Sequence, residues 1–237
     1  MVRNMPTLMS RSTFDDLTTV WHDLLAKTPP GGIGPSNIFV PWAGEQLVAR
    51  SRGIYFVGIA TDADDAEGEP SFEAGLRFSE DCLQTPRLRR TNFWQFINRL
   101  TGAILGGPYY ETQDRWGWSN LLKIAGTKET PGNWPATLIE GQRSACIAAL
   151  KEEIANLRHS LILITSRESY GIAHEAFGDK DRWENQSHGA YLRQDAVSRN
   201  VFVHCWHPKY LSFNQQLLDT TLTEIIRAAR EKLTAFT

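Results

Sequence analysis

Asp62, Lys123 and His207 each stand at or just beyond the end of an apolar run, with Asn120 close by in sequence, and these are residue types that hydrolytic chemistry uses. A carboxylate can orient a water molecule, and an imidazole can donate to an atom that is gaining negative charge. Each also has a plainer reading. Asp62 at a strand end caps a turn, Asn120 is a satisfied core amide, and Lys123 is a solvated strand end. The acids Asp62, Asp64 and Asp65 form a cluster of the kind that binds Mg²⁺ or is simply solvated. Arg87, Arg89 and Arg90 form a short basic run suited either to phosphate or to water. His204 and His207 do not make a metal pair, because three residues apart on an extended chain they point to opposite faces. No GxSxG, P-loop or GxGxxG occurs in a usable context.

The elements that would position these groups begin with residues 53–65, GIYFVGIATDADD. Residues 54–59 are an almost unbroken apolar run, the pattern of a strand covered on both faces of a parallel sheet. The polar residues 60–65 follow at its carboxyl end, where open α/β sheets place their ligand crevices. Three further strands are read at 118–124, 161–164 and 201–204, within WGWSNLLKI, LILI and VFVH. Asn120 and Lys123 interrupt the first of these, and a buried polar residue needs a partner or a purpose. Helices are expected from about 13 to 27, and from Thr91 through Phe93, Ile97, Leu100 and Ile104 to the Gly106-Gly107-Pro108 stop. Another opens at Thr137, with Cys146, Leu150, Ile154 and Leu157 on one stripe and Lys151, Glu152 and Glu153 facing water. A short helix spans 169–177, and a last one carries Leu218, Leu222, Ile225, Ala229 and Leu233. Residues 66–90 read as a long loop. Strand, helix and strand in succession imply right-handed parallel crossovers. In parallel strands the carboxyl ends share one edge, and Asp62, Lys123 and His207 meet there over one cleft, with Asn120 nearby. The expected fold is three-layer α/β/α with a largely parallel four-stranded central sheet.

At 237 residues the chain suffices for one large domain, 1–237, with residues 1–35 as a helical extension packed on it. Its net charge of −2 gives no whole-molecule attraction for a polyanion. The three cysteines, Cys82, Cys146 and Cys205, are widely spaced and include no CxxC, which suits a reduced, cytoplasmic setting. Neither an export signal nor an 18-residue apolar run is present.

The segments FVGIATD, WSNLLKI, CIAALKEEIANLRHSLILIT and HPKYLSFN occur in the order and at roughly the separations found in the uracil-DNA glycosylase superfamily, which the chain resembles over about residues 50–215. The resemblance implies a hydrolase of DNA repair that flips a damaged or deaminated base out of DNA, uses no cofactor and makes no membrane contact. The loop from Gly58 through Ala60 and Thr61 to Asp62 resembles the one that curves beneath the base and holds the water-activating residue. Asn120 matches the amide that reads the base's Watson–Crick edge, and His207 the histidine that stabilises charge on the departing base. Phe72 or Phe78 fills the place of the stacking aromatic, while Lys123 and Lys209 supply positive charge for phosphate. There are departures. Ala60 stands where the amide-using branches carry asparagine, Thr61 where proline is usual, and Lys209 where serine is usual. One branch also has alanine at the first of these positions and uses an acid further along, which leaves Asp62, Asp64 and Asp65 as candidates. The iron–sulfur branches need four cysteines, and this chain has three. A fold-retaining module that binds a nucleobase or single-stranded DNA without turnover is the alternative, and a metal-dependent hydrolase using the aspartates a third.

Overall fold

Successive side chains of a strand point to opposite faces, so strands apolar at every position must be covered on both. The computed structural model describes residues 7–50, 52–60, 69–84, 91–127, 131–158, 160–166, 171–178, 184–185 and 191–234. Its elements in chain order are α1 (Arg11–Lys27), β1 (Pro35–Ile38), β2 (Trp42–Ala43), α2 (Glu45–Arg50), β3 (Ile54–Gly58), α3 (Phe72–Gln84), α4 (Asn92–Leu105) and β4 (Trp116–Asn120). Next come β5 (Ile124–Gly126), α5 (Ala136–Ala155), β6 (Leu161–Thr165), α6 (Ile172–Phe177), β7 (Glu184–Asn185), β8 (Tyr191–Gln194), β9 (Val201–Cys205), α7 (Pro208–Leu211) and α8 (Gln215–Thr234).

The main sheet has seven strands in the order β2-β4-β3-β6-β9-β8-β7. Its centre, β4-β3-β6-β9, is parallel throughout. The flanks are antiparallel: β2 on β4, β8 on β9 and β7 on β8. The expected four-stranded sheet is therefore corrected to a wider, mixed one. β2 and β7 are two residues each, too short to show a period. β1 and β5 form a separate antiparallel ribbon.

Alternation sorts the strand residues into two cores. Tyr55, Val57, Ile162 and Ile164 pack with Phe14, Leu17, Trp21 and Leu24 of α1 and with Cys146, Leu150 and Ile154 of α5. Ile54, Phe56, Leu161, Leu163, Val201 and Val203 pack on the other face with Trp94, Ile97 and Leu100 of α4 and with Leu222, Ile225 and Ala229 of α8. Each fully buried aliphatic or aromatic side chain contributes about 1.5–3 kcal/mol, so helices are held on both faces of the sheet.

Two further expectations are corrected. The strand read at 118–124 ends at Asn120, where the chain turns: the Leu121 amide donates to the Gly58 carbonyl at 2.8 Å and the Leu122 amide to Ile59 at 2.9 Å. Residues 72–84, read as loop, form α3. This helix approaches residues 38–40 through small side chains; a Cβ on Gly75 would lie 2.5 Å from a Val40 methyl, and Ser79 donates to the Val40 carbonyl at 2.7 Å. Its apolar residues divide between the two cores, Phe72 and Leu76 on the α1 side and Phe78 and Cys82 on the α4 side, so no single stripe stands out in the sequence. Elsewhere the termini follow the sequence closely. Thr91 caps α4 and Gly106 ends it at φ 86°. Ser10 caps α1 by accepting from the Thr13 amide at 3.2 Å. No helix among the described residues is long and apolar enough to cross a membrane.

Candidate functional site

Parallel pairing places Gly58 beside Asn120 and Thr165 beside Cys205, so the central strands end on one rim. His207 follows two residues beyond Cys205. Asn120 and Trp118 alternate in phase with Trp116 and lie on the face covered by α4. The Asn120 side chain is buried at 1% exposure. A Cβ on Gly58 would lie only 2.6 Å from Asn120 Oδ1 and 3.7 Å from Trp118 Nε1, so glycine is required for the amide to occupy this place. Gly58→Ala is expected to displace Asn120 and destabilise the protein by about 1–3 kcal/mol, as overpacking does, read as a lower denaturant midpoint.

Aromatic rings join Asn120's neighbourhood to His207. Trp118 lies 4.8 Å from Phe39 and 6.1 Å from Phe93, and Phe93 stacks on His207 at 6.1 Å with the planes 8° apart. Trp118 Nε1 is buried and has no hydrogen-bond partner among the described residues. An unsatisfied buried donor costs about 1–3 kcal/mol, so this N–H is a poised group facing the glycine-lined end of β3.

His207 caps α7. Its Nδ1 accepts the Lys209 amide N–H at 3.2 Å, and its carbonyl accepts from Tyr210 at 2.8 Å and Leu211 at 3.3 Å. An Nδ1 that accepts leaves the ring proton on Nε2, a tautomer assigned from this network. Burial, reinforced by the Lys209 charge, pushes its pKa down from 6.5 to about 4. The ring is neutral at pH 7 and offers a donor at Nε2. Between these two values the unfolded chain holds a proton that the folded chain does not, so stability rises with pH there. The contribution is complete above pH 6.5 and is lost as pH falls towards 4. His207→Asn, which keeps a capping acceptor without titrating here, is expected to flatten this part of the profile in denaturant titrations between those two pH values.

Lys123 is corrected from a phosphate contact to a core residue. Its side chain is fully buried on the α5 side, with Nζ 2.5 Å from Glu153 Oε1, and it also donates to Ser119 Oγ. Glu153, expected to face water, is equally buried; its Oε2 accepts from Tyr55 at 2.8 Å and Ser119 at 2.7 Å. Burial, with the neighbouring carboxylate, holds the Tyr55 pKa well above its usual 10.0, keeping it a donor. Alongside, Gln142 Oε1 accepts the Ile124 amide at 2.8 Å, and Cys146 Sγ accepts that of Lys123 at 3.3 Å. Gln142, Cys146 and Glu153, all on one face of α5, thus hold the segment that follows Asn120.

The remaining expected residues scatter. The first residue of α3, Phe72, is buried against Phe14 at 5.4 Å in the α1-side core, the face opposite Asn120, so its ring is not available to stack on a base at the rim. Phe78 is half-buried on the α4 side. Ala60 packs against the α1-side core. Lys209 is exposed. Thr61, Asp62, Asp64, Asp65, Arg87, Arg89 and Arg90 lie outside the described residues. Among the described residues no group of three or more His, Cys, Asp and Glu side chains could hold a metal ion. His204 is buried, with Nε2 2.8 Å from Ser166 Oγ and its ring 5.3 Å from that of His174. Sequence reasoning missed Phe93 and Trp118, which read as core aromatics. It also missed Glu153, although this residue lies seven positions after Cys146 on the very stripe assigned to the core.

No protein-family model matches the chain, and no curated protein matches it. Among solved structures, that of wild-type Pedobacter heparinus SMUG2 is similar over 94% of this chain and 96% of its own, at 11% identity and a TM-score of 0.44. At that level no residue role passes from one to the other.

Proposed function

We propose that the chain is a uracil-DNA glycosylase-like hydrolase that breaks the N-glycosidic bond of a damaged or deaminated base flipped out of DNA. The observation that supports this reading is that Trp118, two residues from Asn120 on the same face, connects through Phe93 to a neutral His207 whose Nε2–H is not used by the cap. As the bond breaks, its electron pair goes to the base and positive charge builds on the sugar. His207 Nε2 then donates towards a base oxygen. Water adds to the sugar carbon and gives its proton to a carboxylate, for which Asp62 is the first candidate. The backbone of Gly58 and Ala60 lies beneath the base, Asn120 reads its edge, and Phe93 or Phe78 stacks on it. Lys209, exposed beside His207, meets a phosphate. Because Asn120 is buried, the base enters as the Phe93 ring turns aside. Extrusion of the nucleotide costs a few kcal/mol, offset by these contacts.

A second reading, a binding module without turnover, is favoured by Ala60, which puts no amide or acid where the amide-using branches of the resembled superfamily carry one. One experiment separates the two. Labelled single- and double-stranded oligonucleotides bearing uracil and other deaminated or oxidised bases are incubated with the protein, and free base and bound complex are measured together. Free base supports the enzyme, and saturable binding without release supports the module. Neither release nor binding across the panel ends both.

A further inference from the structure

A cleft lies at the opposite rim of the sheet. About 440 Å³ in volume, it opens between the second half of α5, the end of α6 and the start of β9. Its size falls within the range of small-molecule pockets. Lys151, Arg158 and Arg193 line it, against one carboxylate, Asp195. Among the described residues none of these three cations lies within ion-pair distance of a carboxylate, although the Arg193 charge is near enough to Asp195 to help hold its pKa down. Arg193 lies over the Phe202 ring, 5.9 Å from its centroid, and beside Gly178, where a Cβ would come within 2.6 Å of its Nη1. Gly178, at φ 109°, leaves room for this guanidinium. Arg158 reaches the Val197 carbonyl at 3.3 Å.

The single acid is already satisfied. Asp195 Oδ2 accepts both the amide and the hydroxyl of Ser198 at 2.7 Å, which turns it into its own loop. That loop is anchored from below: Asn200, fully buried, donates to the Leu157 carbonyl at 2.9 Å and accepts from the Ser160 amide at 3.0 Å. The cleft is therefore a preformed wall carrying two more positive than negative groups, in a chain whose net charge is −2. Phe177 and Phe202, with rings 5.2 Å apart, form an apolar floor beside the cations. Three cations that outnumber the one described carboxylate, next to an aromatic floor, suit an anion attached to an apolar body.

We propose that this cleft binds a phosphorylated small molecule, with its phosphoryl group between Arg193, Arg158 and Lys151 and its apolar part over Phe177 and Phe202. The site is separate from the Asn120 rim and stands whether or not base release is found there.

The test is calorimetric titration of the full chain with inorganic phosphate and, separately, with adenosine monophosphate as probe. Saturable binding of either supports the proposal; tighter binding of the nucleotide assigns the ligand an apolar body, and equal binding assigns free phosphate. Arg193→Gln is expected to weaken binding at least tenfold and Arg193→Lys by only a few-fold, with melting curves confirming that both variants fold. Absence of saturable binding at millimolar ligand, or affinity unchanged in Arg193→Gln, overturns it. So does binding of a short oligonucleotide through Arg193 when the mononucleotide does not bind.

Discussion

Glu153→Ala is expected to destabilise the protein by about 3–5 kcal/mol, the usual consequence of leaving one partner of a buried pair uncompensated. Lys123 has no exposed surface through which water could solvate it. The same carboxylate accepts the hydroxyls of Tyr55 and Ser119, so its removal strands three donors together. For a chain of this length about 2–4 °C of melting temperature is lost per kcal/mol, giving a fall of roughly 6–20 °C. The double variant Lys123→Met with Glu153→Leu removes both charges, keeps the volume and is expected to recover most of the loss. Thermal denaturation of the three proteins decides the matter. A Glu153→Ala protein melting with the wild type would show that the pair holds nothing together.

His207→Ala is expected to lower single-turnover base release by about 10²–10³-fold, the usual cost of deleting one donor to a developing oxyanion. The geometry supplies a way to separate chemistry from architecture. Nδ1 serves the α7 cap, which leaves Nε2 as the donor. His207→Asn retains an acceptor for the Lys209 amide and loses the imidazole donor. It is expected to melt near the wild type while releasing base as poorly as His207→Ala. An Asn variant that releases base normally would make His207 a helix cap and nothing more.

The parts of the fold legible in the sequence were those set by continuous apolar runs and by punctuation. The four central strands, α4 between Thr91 and Gly106, and α8 all follow from such signals. The shared rim followed from the strand–helix–strand order, since parallel strands end together. What the sequence concealed has a common physical cause, the pairing of polar or small residues with distant partners. Lys123 reads as a strand end until Glu153, thirty positions away, is seen to neutralise it. α3 reads as loop because its apolar residues divide between two cores, with Gly75 and Ser79 packed on residues 38–40 between them. Phe72 and Phe93 are indistinguishable in sequence, yet one packs on Phe14 and the other on His207. In each case the deciding contact is non-local.

The claim on which the functional reading rests is that the face formed by Gly58, Trp118, Asn120 and His207 receives a nucleobase. Its most direct test is the indole N–H resonance of Trp118 in a ¹⁵N-labelled protein titrated with a lesion-bearing oligonucleotide. This proton has no acceptor among the described residues, and a base carbonyl seated against Gly58 would provide one. A downfield shift that saturates with binding, together with a shift of the His207 ring resonances, is the result expected. An indole resonance that stays in place while the oligonucleotide is fully bound would put the base elsewhere and contradict the assignment of this rim.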